Sequence, residues 1–439
     1  MDSLTEKKSR DWYFGIMVYA VFLGLIAFVL ESPSEIARGC LKIAISKGVL
    51  ITDYIALSSI GATFMNVSIV TLLTITLLFY NDIPMDGSSI AIVGLMSGFS
   101  FFGKNFFNMW FILLGTYVYC LYKKQPFKQY VKVGLISTSL APIISSTFFY
   151  NNVNAEGVIV SVICGLVIGF IMPMLAEHTD RLLHNLSLYN GGFAVGLLAM
   201  MMVPMLKSMG FSFNTVLYWS TGNNALLSSW LYGLCVVLII LGFVSDGKEA
   251  FWEYLKILCR TGHPKEDFIT LHNSGAVLIN IGINGIIGIA FILITGGELN
   301  GPTIGGILAV MGFGARGKHA FNIVPVMLGV FVAGFSKFWS IKDPAAQIAL
   351  MFCTTLAPVT GFYGVIPGFI AGYVHASVVQ YAGLGYSGVN LYNNGFAGGI
   401  VSIVFFSVLS NFVIPRTYPV NAIIKQILKK YGRFTETDS

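Results

Sequence analysis

Two lysines and six asparagines recur at matching places along this chain, and they are the residues best suited to handle a polar or charged solute. Lys104 lies in Gly98-Phe99-Ser100-Phe101-Phe102-Gly103-Lys104-Asn105-Phe106-Phe107-Asn108, and Lys318 in Gly312-Phe313-Gly314-Ala315-Arg316-Gly317-Lys318-His319-Ala320-Phe321-Asn322. An ammonium group at the end of a Gly-rich broken helix can attract an anion or orient a strong dipole. The helix N-termini that follow, near Asn105 and His319, add partial positive charge. The competing reading is a lysine that snorkels to the lipid headgroups. Asn108 and Asn322 sit one turn further on. Asn66 and Asn280 lie deep in apolar sequence, and Asn190 and Asn393 open the last helix of each copy. A buried amide costs free energy unless it is paired. These amides therefore either line a path, bond one helix to another or cap a helix end.

The matching places arise from duplication. Residues 53–115 align with 267–329 without a gap, and 18 of the 63 positions are identical, where roughly five would be expected by chance. A second block, Leu188-Tyr189-Asn190-Gly191-Gly192-Phe193-Ala194, recurs as Leu391-Tyr392-Asn393-Asn394-Gly395-Phe396-Ala397. Ser137-Thr138-Ser139-Leu140-Ala141-Pro142 likewise matches Cys353-Thr354-Thr355-Leu356-Ala357-Pro358. A Pro-kinked helix with hydroxyls one turn earlier can expose carbonyls to a passing solute, or can simply be kinked.

Composition places these copies in a membrane. Of 439 residues, 10% are charged and 55% hydrophobic, and the mean hydropathy is +0.77. At about 20 apolar residues per span there is room for a dozen or more helices. The apolar runs are continuous rather than alternating, which excludes a barrel. Six scattered cysteines form no C-x-x-C pair, so neither a metal site nor a disulfide framework is expected. The run Tyr13–Leu30 is too long for a cleaved signal core and reads as an anchor helix.

The expected architecture is all-α, a polytopic membrane helical bundle of about 14 spans: 13–30, 54–80, 88–102, 105–122, 131–150, 157–176, 191–206, 226–245, 269–295, 301–315, 320–340, 346–362, 363–380 and 395–414. Five regions follow: 1–52, an anchor helix and surface segment; 53–206, the first repeat; 207–266, a linking span with a basic loop; 267–414, the second repeat; and 415–439, a basic tail. With the N-terminus inside, inside segments hold 19 of the 26 basic residues, as the positive-inside rule requires. Both termini are then cytoplasmic, in an inner (plasma) membrane. Seven crossings separate matching helices. An odd number makes the copies inverted-topology repeats, with a site expected between them.

Segments 88–102 and 301–315 are short for a full crossing and rich in glycine, including Gly98 and Gly312. Short, Gly-interrupted segments at matching positions point to a transport site, because freed backbone groups are tolerated in a bilayer only where protein, water or solute pairs them. Close helix packing is the other use of glycine, and Gly165-x-x-x-Gly169 and Gly368-x-x-x-Gly372 are assigned to it.

Several chemistries are excluded. The G-x-x-x-x-G-K spacing mimics a nucleotide-binding loop, but Asn105 or His319 stands where Ser or Thr is needed, and the setting is an apolar span. There is no H-E-x-x-H or G-x-S-x-G motif, so no enzymatic activity, cofactor or metal is expected. None of the 20 acids lies mid-span, which favours passive or sodium-linked movement over proton coupling. Asp53 and Asp267 match at span ends. The basic residues are dispersed in short loops, so nucleic acid is not an expected partner. Residues 248–256 and 422–433 are basic and amphipathic and should lie on anionic lipids. Homo-oligomerisation is left open.

The duplicated G-F-x-x-x-G-K-x-x-F-N and L-Y-N-x-G-F-A motifs resemble an uncharacterised bacterial family of duplicated membrane proteins, known only as a domain of unknown function. That resemblance implies a multi-pass bacterial membrane location over nearly the whole chain. The architecture is more distantly similar to the urea-transporter family, which also has two inverted halves, and Tyr189-Asn190-Gly191 resembles its Y-N-G stretch. No Leu-Pro dipeptide occurs here, so that family's slot motif is absent. The functional expectation is a transporter or channel for a small polar or anionic solute. A membrane-embedded enzyme, a lipid-handling protein and an envelope scaffold are the alternatives.

Overall fold

A computed structural model describes residues 3–412 and 422–433, and its regular structure is helical. Arg416 and the end of the basic tail lie outside the described residues. The helices are α1 (Ser3–Leu30), α2 (Pro33–Ala44), α3 (Ile60–Tyr80), α4 (Gly87–Phe99), α5 (Trp110–Lys123), α6 (Val131–Phe148), α7 (Ala155–Leu182), α8 (Asn190–Ser208) and α9 (Asn224–Ile257). The second half continues with α10 (Ser274–Ile294), α11 (Gly301–Gly312), α12 (Ala320–Ser336), α13 (Pro344–Tyr363), α14 (Val365–Ala382), α15 (Asn393–Phe412) and α16 (Ala422–Lys430). Among the described residues, nine helices are long and apolar enough to cross a membrane, and Gly87–Phe99, Gly301–Ala315 and Ala320–Ser336 are shorter apolar helices.

Matching helices have matching forms. α3 and α10 are both 21 residues long. α4 and α11 have 13 and 12 residues, about 20 Å each at 1.5 Å per residue. α6 and α13 are each interrupted by a 3-10 turn at the aligned Thr138 and Cys353 segments. The Pro142 and Pro358 rings begin the helix that follows each interruption, where a missing N–H costs nothing.

The equivalence continues upstream of residue 53. α9 kinks at Gly247, which has φ 57°, so its two parts match α1 and α2. The Glu31 carboxylate, at the α1–α2 junction, accepts the Gly61 N–H at 2.8 Å. Asp246, at the α9 kink, accepts the equivalent Gly275 N–H at 2.6 Å.

The halves meet through reciprocal contacts. Asp53 begins the one-turn helix Tyr54–Leu57 and accepts the Ile55 N–H. It also accepts the N–H of Gly301, the first residue of α11, at 3.0 Å. Asp267 does the same for Ile269 and, at 3.0 Å, for Gly87, the first residue of α4. Each acid thus serves the exposed N–H groups of the other half's short helix, where negative charge is favoured. The Leu391 N–H donates to the Ser139 carbonyl at 3.1 Å, and the equivalent Leu188 N–H to Thr355 at 2.9 Å. α4 and α11 run antiparallel in direct backbone contact. A Cβ at Gly98 would lie 2.5 Å from the Gly305 carbonyl oxygen, and one at Gly87, at the other end of α4, 2.4 Å from that of Ala315. Such a self-complementary surface has the character of a two-fold interface.

The N-terminal end of α4 is also pinned by charge. Lys132 at the start of α6 pairs with Asp86, the N-cap of α4, at 2.8 Å. Burial works against a charged Asp86, but Lys132, Ser88 and the Ser89 N–H outweigh it and hold the carboxyl below the ordinary carboxylate range. A depressed carboxyl stabilises the fold above its unfolded value, and that contribution is lost as pH falls through the depressed one. Melting temperatures of the purified protein should therefore fall in acid. Asp86→Asn keeps an N-cap but loses the ion pair with Lys132, so it should flatten that limb and cost up to about 1 kcal/mol at neutral pH.

The two amphipathic stretches assigned to the lipid surface also touch each other. Trp252 packs on Tyr431 with ring centroids 5.3 Å apart, and Arg433 pairs with Glu249 at 2.9 Å.

Candidate functional site

The G-F-x-x-x-G-K motif is a helix stop. Gly103 and Gly317 adopt φ values of 79° and 84°, a left-handed conformation that costs a glycine little. The following N–H, of Lys104 or Lys318, reaches back to the carbonyl of Phe99 or Phe313 at 3.1 Å in both copies. This is the Schellman arrangement, which folds the residue after the glycine over the last helical turn. It brings the Lys104 ammonium 5.3 Å from the Phe99 ring centroid and the Lys318 ammonium 4.9 Å from that of Phe313. The spacing that mimics a nucleotide-binding loop therefore has a structural cause of its own.

The predicted asparagines lock these breaks. Asn66 Nδ2 donates to the Ser100 and Lys104 carbonyls at 2.7 and 3.0 Å. Asn280 Nδ2 donates to Gly314 and Lys318 at 2.7 and 2.8 Å. Asn108 accepts the Asn105 N–H and donates to the Gly103 carbonyl, and Asn322 repeats this with His319 and Gly317. Their Nδ2 groups are engaged by the protein, whereas Asn66 Oδ1 and Asn280 Oδ1 are buried with no hydrogen-bond partner among the described residues. Asn190 and Asn393 are the first residues of α8 and α15. Asn190 donates to Asp180, and Asn393 accepts from Tyr386 and donates to Val379. Gly98 and Gly312 lie at the α4–α11 contact. Gly169 and Gly372 pack against the backbone of Ile112 and Val326.

Lys104 and Lys318 are both 0% exposed, which does not fit a snorkelling lysine. Neither hydrogen bonds to a carboxylate among the described residues. Lys318 Nζ donates to Thr354 Oγ1 at 2.7 Å and to the Tyr189 hydroxyl, and lies 4.3 Å from the Tyr189 ring centroid. Lys104 Nζ contacts Met96 Sδ at 2.9 Å. Tyr189 and Tyr392 touch each other across the seam, with centroids 5.0 Å apart, and Tyr189 also packs on Phe313 while Tyr392 packs on Phe99. The lysines, tyrosines and phenylalanines of both motifs thus form one buried polar-aromatic cluster. Tyr189, Tyr392 and Thr354 are not among the solute-site residues that the sequence indicates, although all three lie in repeated blocks.

Cation–π contacts contribute about 2 kcal/mol when desolvated, less than the several kcal/mol that burying an ammonium costs. The cluster is therefore poised to gain from an acceptor or an anion. A crevice lined by Met96, Phe99, Lys104, Ile136 and Ser139 adjoins it and is too narrow for a water-sized sphere. A larger apolar groove of about 440 Å³ lies at the edge of the seam, between Trp12 and Tyr19 of α1, Gly94 and Ser97 of α4, Leu238 of α9 and Gly312 of α11.

Fold and site define an all-helical, multi-pass membrane protein with a duplicated core. A family model described as "protein of unknown function (DUF1576)" matches residues 32–208 and again 246–411, and the chain belongs to that family. No curated protein and no solved structure matches it.

Proposed function

We propose that this protein is a transporter or channel for a small polar or anionic solute, built from about fourteen spans in two inverted repeats. The observation that carries the reading is the pair of fully buried lysines, without carboxylate partners among the described residues, at the contact between the halves. A membrane protein retains such costly groups where a charged or dipolar solute uses them. Inversion is supported by the antiparallel crossing of the equivalent helices α4 and α11 and by the exchanged Asp53 and Asp267 caps. It makes equivalent contacts available from opposite sides of the membrane. The basic-residue bias puts both termini in the cytoplasm. The narrow crevice beside Lys104 makes this an occluded arrangement, and passage requires the seam to open.

Flux into vesicles reconstituted with the purified protein tests the reading. Saturable uptake of one member of a panel of small anions and neutral polar solutes is the expected result. Uptake no faster than in protein-free vesicles, for every solute, overturns it.

A lipid-handling protein is a second reading, favoured by the apolar groove beside α1. A lipid retained through purification at one copy per chain, without solute flux, would select it.

A further inference from the structure

Lys104 and Lys318 are equivalent in sequence, yet their ammonium groups are engaged differently. Lys318 is latched by the Tyr189 hydroxyl and by Thr354. The residues aligned with those partners, on the Lys104 side, are Tyr392 and Thr138. The Tyr392 hydroxyl is buried and bonds nothing among the described residues. Thr138 Oγ1 turns to the Leu135 carbonyl, with Met96 Sδ 3.6 Å away. The Lys104 ammonium itself has only a thioether, a weak acceptor, and the Phe99 ring. Phe99 joins the two groups: Lys104 lies over its face and Tyr392 packs on it with centroids 5.4 Å apart.

On this half of the seam the Lys104 ammonium is therefore placed on no oxygen acceptor among the described residues. An ammonium and a phenol are buried here with almost nothing to donate to, a costly arrangement. A ligand that relieves it must be an acceptor, and one ammonium calls for one negative charge. The asymmetry is written in the sequence: Met96 aligns with Val310, which offers no acceptor and leaves Lys318 to its hydroxyl pair. The crevice admits no ligand as it stands, but methionine is flexible enough to swing out of the way, and the space one side chain vacates limits the ligand to a few atoms. Burial in an apolar span favours an ion that loses little hydration energy.

We propose that the Lys104 half of the seam is a binding site for a small, weakly hydrated monovalent anion, of the size of nitrate or bromide. The Lys104 ammonium and the Tyr392 hydroxyl hold it, while Lys318 stays latched on Tyr189 and Thr354. This deepens the transport reading, on which it rests, by naming the substrate class and the half of the site that is ready to receive it.

Equilibrium binding tests the site separately from flux. The melting temperature of the purified protein in neutral detergent is titrated with sodium nitrate against sodium gluconate at constant ionic strength. A saturable rise with nitrate alone is expected. Lys104→Gln should weaken its midpoint about tenfold or more, and Tyr392→Phe several-fold. The exposed Lys128→Gln should leave the midpoint unchanged. An identical response to both salts in the wild-type protein, or a nitrate midpoint retained in Lys104→Gln, overturns the proposal. Should Lys104→Gln fail to fold, Tyr392→Phe decides alone, with an unchanged midpoint counting against the site. Nitrate binding without any flux would leave the site standing and overturn the transport reading. Flux of a neutral solute with no anion binding would do the reverse.

Discussion

Vesicles carrying the Lys104→Gln/Lys318→Gln protein should take up the transported solute at least about tenfold more slowly than wild-type vesicles, while the protein melts no earlier. The two halves of this expectation have separate causes. An ammonium that hydrogen-bonds a charged or dipolar solute contributes more than a neutral bond does, and glutamine cannot replace its charge. Stability should hold or rise, because removing a buried charge removes its desolvation cost. The lysines also make few contacts that glutamine would lose: Lys318 bonds two hydroxyls and Lys104 a thioether. If the lysines served only packing, the variant would lose stability and keep its flux per folded molecule. Unchanged flux would remove both residues from the solute path.

Gly98→Leu should largely abolish folded protein. At this position α4 and α11 touch backbone to backbone, and a Cβ would meet the Gly305 carbonyl oxygen at 2.5 Å. Helix association inside a bilayer draws on close packing rather than on hydrophobic expulsion. A leucine there must push the helices apart, and that displacement strains the Asp53–Gly301 and Asp267–Gly87 caps together. The expected loss is about 3 kcal/mol, read as a lowered melting temperature and a collapsed monodisperse peak in size-exclusion chromatography. Gly233→Leu on α9, where a new Cβ meets nothing within 4 Å, should behave like wild type.

Much of this was legible in the sequence because duplication reports which positions matter twice. The motifs around Lys104 and Lys318 identified the ends of two short helices, and continuous apolar runs identified the helical membrane class. The tyrosines are harder to read from sequence, because in the Leu-Tyr-Asn blocks the amides of Asn190 and Asn393 are the more polar groups. What Tyr189 does depends on a partner 129 residues away, and no local pattern encodes that pairing. Asp53 and Asp267 read as capping groups at span ends. Their second role, serving the first N–H of the opposite half's short helix, arises only when the halves are brought together. The match between α9 and the α1–α2 pair is hidden in the sequence, where 226–245 reads as a lone linking span and 248–256 as a separate basic surface helix.

The account rests on the halves lying head to tail around the lysine seam, and side-specific labelling tests that most directly. Asp82 follows α3, Gly296 holds the aligned place after α10, and both are exposed. Cys40 is the one partly exposed native cysteine among six, so Cys40→Ser gives a quiet background. In that background, Asp82→Cys and Gly296→Cys are each treated with a membrane-impermeant maleimide, in sealed cells and in inverted vesicles. Labelling of Gly296→Cys from outside the cell and of Asp82→Cys from the cytoplasmic side is the predicted result. Labelling of both from the same side would contradict the inverted arrangement and, with it, the shared solute site.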